Sequence, residues 1–337
     1  MLFNKKLIVS FVLSLSLIFS LGTLYAISVI PGGDSIGINL DYEGIVITGG
    51  YAITVDGKSY NPMENGIQVN DVIVKANDTS VQTIAQLTDA IKDSMESNKA
   101  LEVTLKRGNT TINHTLKMMY DTNTKQFSTG LYVKDCLMGI GTMTYYNPKT
   151  KSFGSLGHAM SDVELNDRAL IKTGRVYRSR VTGIKKGSEN QAGQKIAAIS
   201  DIALGKIDDH SQFGIYGIYD TNAIDAKDLI ETANISEVKL GKAYFLTVLE
   251  GEKIAKCDIE ITELKPQKSR DQKGIIFTIK DENVLQKTDG IVQGMSGSPI
   301  IQDGKLIGCV THVSSSHQNV GYGLYIEWML EMDQQKG

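Results

Sequence analysis

The sequence predicts a mainly β protein with an apolar N-terminal segment, a small α+β module and a larger β domain. Three observations predict it. Thirty-three glycines stand against only five prolines and eight phenylalanines, a balance that favours many turns between short strands. Apolar and polar residues alternate in stretch after stretch, as in Leu101, Val103 and Leu105 against Glu102, Thr104 and Lys106, which is the two-residue period of half-buried strands. Helical periodicity is scarce through residues 165–280, apart from a short stretch at Ala226–Ala233. At 337 residues the chain is long enough for two domains with separate cores.

Charge and cysteine content narrow the function. A formal charge of −3 and the lack of a basic cluster speak against nucleic acid as a partner. Cys136, Cys257 and Cys309 are widely spaced, with no Cys-x-x-Cys or Cys/His cluster, so no metal site and no cofactor are expected. An odd count also argues against a disulfide framework, and the three thiols read as small buried apolar groups.

Residues 1–30 read as an N-terminal anchor. Lys5-Lys6 precede an uncharged run whose apolar part, Leu7 to Val29, would span a ~30 Å hydrocarbon core as a helix. A cleavage site after Ala26 would need a small residue where Leu24 stands, which favours a retained anchor over a signal peptide. The lysines put the N-terminus in the cytoplasm and everything after Pro31 outside it.

Residues 31–125 read as one module. After the linker Pro31-Gly32-Gly33-Asp34, strand patterns run through Ile36–Leu40, Ile45–Ile47 and Ala52–Val55. Ile84, Leu87, Ile91 and Met95 recur at three and four, giving a helix with one apolar face. The run Asn65-Gly66-Ile67-Gln68-Val69-Asn70-Asp71-Val72-Ile73-Val74-Lys75-Ala76-Asn77 resembles a PDZ domain, with Asn70 where glycine is usual; Asn tolerates the left-handed turn. In that resemblance Ile36, Gly37, Ile38 and Asn39 form the carboxylate-binding loop, whose strand edge would pair with a peptide.

Residues 126–337 carry the chemistry. In Gly294-Met295-Ser296-Gly297-Ser298-Pro299 a serine is flanked by glycines, so amides can turn toward a point beside its hydroxyl. The expected oxyanion donors are the amides of Gly294 and Ser296. A plain hairpin turn would also accept this composition. Serine needs a base, and among His114, His158, His210, His312 and His317 only His158 sits in a glycine-rich turn, Gly154-Ser155-Leu156-Gly157-His158. Asp162, Asp281 and Asp289 are all candidates for the orienting carboxylate. Spacing does not choose between them, and Asp281 would serve equally as a helix N-cap.

Five stretches together resemble the SpoIVB-type (stage IV sporulation protein B) serine peptidases of endospore-forming bacteria. They are Gly139–Thr142, Tyr146–Thr150, Leu156–Asp162, Gly290–Ile300 and Gly321–Leu330. The order anchor, PDZ, peptidase matches as well. The resemblance implies a trypsin-like double β-barrel and a triad of Ser296, His158 and Asp281, with Asp289 where the family tends to have glycine. An aspartate only 15 residues ahead of the serine is unusual for that fold. The resemblance also implies a role in signalling. Such an enzyme faces the space between forespore and mother cell, cleaves itself, and cuts a membrane-protein inhibitor to trigger sigma-factor activation. Its PDZ domain presents peptide substrates. The alternative is a non-enzymatic PDZ-containing envelope scaffold. An α/β-hydrolase would need a second glycine where Ser298 stands.

Overall fold

The computed structural model describes residues 27–161, 171–188, 191–222, 228–314 and 317–334. The anchor segment up to residue 26 and the candidate Asp162 lie outside the described residues. Among the described residues no helix is long and apolar enough to cross a membrane. The last residues assigned to the anchor are strand: β1 (Ser28–Pro31) pairs Ile30 with Tyr146, and Val29 is fully buried.

A long strand, β2 (Ser35–Gly50), links the two parts of the molecule. Beyond it lie β3 (Ile53–Val55), β4 (Lys58–Tyr60), β5 (Val72–Ala76), β6 (Thr79–Ser80) and helix α1 (Ile84–Glu96). β7 (Leu101–Arg107), β8 (Thr110–Leu116), β9 (Met119–Asp121) and β10 (Gln126–Ser128) complete the module. Its core gathers Ile45, Ile47, Ile73, Leu87, Leu101, Val103 and Leu105. Helix α1 starts at a capping box in which Thr83 and Gln86 bond each other's backbone N–H. Its buried face is Leu87 and Ser94, while Ile84 and Met95 stay exposed. Asn70 adopts φ 71°, the left-handed turn its position requires. Next to it Asp71, wholly buried, takes a two-pronged bond from Arg107 at 2.6 and 2.7 Å.

The stretch expected as the carboxylate-binding loop is instead an interior strand of the first barrel. Ile36, Gly37, Ile38 and Asn39 pair with Gly141–Met138 on one side and with Arg178–Arg175 on the other. Ile36 and Ile38 are core residues. Both edges of the strand are thus taken, and no peptide can add to it.

The first barrel is built from β2, β11 (Leu131–Asn147), β12 (Ser152–Ser155), β13 (Ile171–Lys185), β14 (Gln194–Ser211) and β15 (Gly214–Tyr219). The pairings β11–β12–β15–β14–β13–β2–β11 close on themselves. Its core holds Ile36, Ile38, Leu40, Met143, Phe153, Val176 and Ile207. After β16 (Ile230–Glu231) comes a second closed barrel. It consists of β17 (Gly241–Glu250), β18 (Lys253–Leu264), β19 (Ile275–Ile279), β20 (Pro299–Gln302), β21 (Lys305–Val313) and β22 (Val320–Tyr325), with α2 (Glu282–Thr288) between β19 and β20. Phe245, Ile259, Phe277, Val292, Met295 and Ile300 fill it. The C-terminal helix α3 (Ile326–Gln334) staples the barrels together. Its Ile326, Met329 and Leu330 pack with Tyr145 and Tyr216 of the first barrel and with Ile301 and Leu306 of the second. Asp333 accepts hydrogen bonds from Tyr145 and Ser152.

Candidate active site

The serine turn is built between α2 and β20. Met295 is fully buried and anchors it, its N–H on the Val292 carbonyl. Ser296 follows half-exposed between Gly294 (φ 94°) and Gly297 (φ 90°), backbone angles that side chains resist. A Cβ at Gly297 would overlap the Thr142 carbonyl oxygen and sit 2.6 Å from the Leu156 nitrogen. The glycine is therefore required for the serine turn to touch the histidine turn.

The histidine turn follows β12. Leu156 and Gly157 are both left-handed, at φ 73° and 70°. For a leucine this costs roughly 1–3 kcal/mol, which burial of Leu156 in the first barrel's core offsets. Gly157 packs against Cys309 and Thr311 of β21. His210 braces the far side, its Nε2 accepting the Met160 N–H at 2.9 Å.

Thr142 of β11 joins the two turns. Its N–H donates to the Ser296 carbonyl at 2.9 Å, its hydroxyl donates to the Gly294 carbonyl at 2.7 Å, and its own carbonyl accepts from the Ser155 hydroxyl at 2.6 Å. Thr144 adds a bond to the Gly297 carbonyl. The first barrel thus grips the serine turn of the second through backbone carbonyls.

His158 is half-buried, and its Nδ1 lies 2.7 Å from the Ala159 carbonyl. A carbonyl only accepts, so Nδ1 carries the proton and Nε2 keeps its lone pair. Burial pushes the His158 imidazole down from its ordinary value, against a smaller upward pull from the Ala159 carbonyl. His312 lies alongside, ring centres 5.2 Å apart, and burial with a smaller push from His158 brings it down to about 4. Two neutral imidazoles therefore face each other at neutral pH. The Ser296 hydroxyl donates to the Thr311 carbonyl at 3.0 Å, and Thr311 immediately precedes His312. Among the described residues, the amides of Gly294 and Ser296 donate no hydrogen bond.

The candidate carboxylates are placed differently. Asp281 caps α2, its side chain accepting from the N–H groups of Asn283 and Val284 at 3.0 and 3.1 Å. Asp289 closes the other end of that helix in a left-handed conformation. Among the described residues no carboxylate hydrogen-bonds to His158. The structure brings the turns of Ser296 and His158 onto one seam between the barrels and leaves Asp281 at the helix start.

Sequence reasoning did not find Thr142, Lys195, His210 or His312 as parts of this seam. Lys195 lies under the Gly294 turn, with 1% of its surface exposed. All four act through contacts between distant strands, and only the Gly139–Thr142 motif carried a local signal.

Residues 125–330 match the family SpoIVB peptidase S55, and residues 36–118 match the PDZ domain family. Among curated proteins none matches the chain. Among solved structures, the chain is similar to Rv3671c from M. tuberculosis H37Rv, crystallised as a serine-to-alanine mutant in inactive form. The likeness has 13% identity and a TM-score of 0.32, covering 58% of this chain and 82% of that one. The family match spans more than half of the chain and contains both turns of the seam, so this protein belongs to the SpoIVB peptidase S55 family and is a serine peptidase preceded by a PDZ domain.

Proposed function

We propose that the chain is a membrane-anchored endopeptidase of sporulation signalling, with Ser296 as nucleophile and His158 as base. The observation that carries the catalytic assignment is the Nδ1 bond of His158 to the Ala159 carbonyl, because it leaves Nε2 as the basic atom of a histidine turn packed on the serine turn. The Ser296 hydroxyl turns from the Thr311 carbonyl to Nε2, attacks the scissile carbonyl carbon and passes its proton to His158. The oxyanion formed takes hydrogen bonds from the Gly294 and Ser296 amides. His158 then returns the proton to the leaving amine. In this reading the Ala159 carbonyl orients the ring, and Asp281 enters the site only if its carboxylate exchanges the α2 cap for the imidazole.

The signalling role rests on the family and on the order of segments. The 20 residues from Leu7 to Ala26 would span ~30 Å as a helix, placing both domains outside the cytoplasm, between forespore and mother cell. Substrates there are the chain's own N-terminal region and a membrane-protein inhibitor. With Ile36–Asn39 committed to the barrel, we place the module's peptide edge on Leu131–Val133 of β11, which pairs with Gly50–Ile47 and runs beside α1. There the Ile84 N–H donates to Asp135 at 2.7 Å.

N-terminal sequencing of full-length protein after incubation tests the reading. Wild type is expected to yield a new terminus N-terminal to the barrels, and Ser296→Ala to yield none. An identical new terminus from purified Ser296→Ala would overturn the assignment of the nucleophile.

A further inference from the structure

One buried charge-bearing group has no part in the chemistry above. Lys195, near the start of β14, is 1% exposed, and among the described residues no carboxylate hydrogen-bonds to it. Lysines are almost never buried without a paired charge, because the ammonium loses its hydration. Its Nζ donates to the Thr247 hydroxyl of β17 at 2.7 Å and to the Thr142 hydroxyl of β11 at 3.3 Å. Both threonines are fully buried. Thr142 passes the bond on to the Gly294 carbonyl at 2.7 Å.

Lys195 grips the same turn through its backbone. Its N–H donates to the Gln293 carbonyl at 2.9 Å, while Gln293 donates back to Gly193 at 2.8 Å. Its methylene stem lies 3.1–3.3 Å from where a Gly294 Cβ would be. Both carbonyls flanking the Gly294 Cα are therefore held from one residue, one directly and one through Thr142. The peptide unit is planar and trans, so fixing the Gln293 carbonyl toward Lys195 aims the Gly294 N–H the opposite way.

We propose that Lys195 is a positioning residue for the oxyanion-binding turn at Gly294: its backbone N–H fixes the Gln293–Gly294 peptide, and its Nζ, through the Thr142 hydroxyl, pins the Gly294 carbonyl so that the turn holds that amide in place. It rests on the serine-peptidase reading above and names what holds that site in working geometry. Without Nζ, Thr142 can turn its hydroxyl toward Thr247, only 3.5 Å away, and the Gly294 carbonyl is released. Ground-state contacts of the substrate elsewhere would be untouched, so the loss should fall on the chemical step. Burial pushes the Lys195 ammonium down to about 7, with a smaller opposing effect from Cys257. The Cys257 thiol is itself pushed up to about 12, so it offers no counter-charge.

The test uses the full chain, a fluorophosphonate that labels the nucleophilic serine, and casein as a generic substrate. Lys195→Met keeps the stem and removes Nζ; Thr142→Val keeps the shape and removes the relay. Each is expected to slow labelling of Ser296 and lower kcat on casein by 10-fold or more, with KM within about 2-fold of wild type. The double variant should lose no more than the worse single one, as members of one chain of contacts do. Lys195→Met should melt no lower than wild type, since it removes a buried unpaired charge. Wild-type labelling rates in folded Lys195→Met overturn the proposal, and so do wild-type rates in Thr142→Val or losses that simply add. If Lys195→Met does not fold, Thr142→Val decides. Absence of labelling at Ser296 in the wild type would instead count against the serine-peptidase reading itself.

Discussion

The Nδ1 atom of His158 donates to the carbonyl oxygen of Ala159, 2.7 Å away. A backbone carbonyl here does what a carboxylate does in many triads: it chooses the tautomer and stops the ring from turning. It adds no full negative charge, so it stabilises the imidazolium less than a carboxylate would. Burial meanwhile holds the ring below its ordinary value of 6.5. The base is thus unprotonated at neutral pH, and kcat/KM should fall on the acid side only at pH lower than an ordinary histidine would give. His158→Gln should abolish that limb together with the activity. Ser296→Ala should cost about 10⁴-fold or more in rate. Initial rates on casein across pH 5–8 check both.

Asp281 is the sharpest point of divergence between resemblance and geometry. As an α2 cap it accepts two N–H bonds, a task asparagine performs as well, whereas alanine costs about 1 kcal/mol. Asp281→Ala should therefore melt lower, while Asp281→Asn should keep both its melting temperature and activity within several-fold of wild type. A loss on the order of 10⁴-fold in Asp281→Asn with unchanged melting, as when a triad carboxylate is neutralised, would mean that the carboxylate leaves the cap for His158.

His312 should make the fold sensitive to acid. Its folded value is about 4 against 6.5 for the free group, lowered by burial first and by His158 and Lys273 second. Between those values the unfolded chain holds the proton and the folded chain does not. Stability present at pH 7 is therefore lost as pH falls through 6.5 toward 4. Melting curves at pH 7.5 and 5.0 should show a smaller acid-induced drop for His312→Asn than for wild type. An equal drop in both would rule out this histidine as a source of acid sensitivity.

Much of this architecture was legible in short-range pattern. Leu101, Val103 and Leu105 alternate and are buried as a strand should be, and Asn70 takes the left-handed angle its motif needs. The serine and histidine turns stood out by their glycines, but a plain hairpin turn has the same composition, and only their packing on one another tells the two apart. What pattern could not supply was pairing partners. Ile36-Gly37-Ile38-Asn39 alternates equally well as a PDZ peptide edge or as an interior barrel strand, and only the approach of β11 and β13, about 100 or more residues later, decides it. The same holds for Thr142 and Lys195, whose roles exist only once the two barrels meet. Asp281 shows the converse limit: one carboxylate suits a helix cap and a triad alike, and local sequence is silent on which it serves.

Within the PDZ module, Arg107 secures a wholly buried carboxylate at Asp71 and also bonds the Gly66 carbonyl at 2.6 Å. Replacing Arg107 by Met leaves that charge unpaired. Breaking buried pairs costs ~3–5 kcal/mol, and the partial exposure of Arg107 puts this one at the low end. Amide hydrogen exchange of Val103 and Leu105 should speed up in Arg107→Met while that of Phe245 and Phe277 in the second barrel stays the same. Unchanged exchange in the module would show that Gln68, whose N–H also bonds Asp71 at 2.9 Å, suffices.

Gly294 and Gly297 have nearly the same φ, yet replacing them should have different consequences. At Gly294 the atoms nearest the added methyl are those of the Lys195 side chain, at 3.1–3.3 Å. At Gly297 it meets rigid backbone, the Thr142 carbonyl and the Leu156 nitrogen. Both variants carry the strain of a side chain at positive φ, roughly 1–3 kcal/mol. Only Gly297→Ala must also push the histidine turn away from the serine turn. Gly294→Ala should thus remain folded and labelable by fluorophosphonate at a reduced rate, because Lys195 can shift by a few tenths of an ångström. Gly297→Ala should lose Ser296 labelling altogether, even where circular dichroism still reports a folded β protein. Equal labelling of the two variants would mean that the turns do not depend on that close approach.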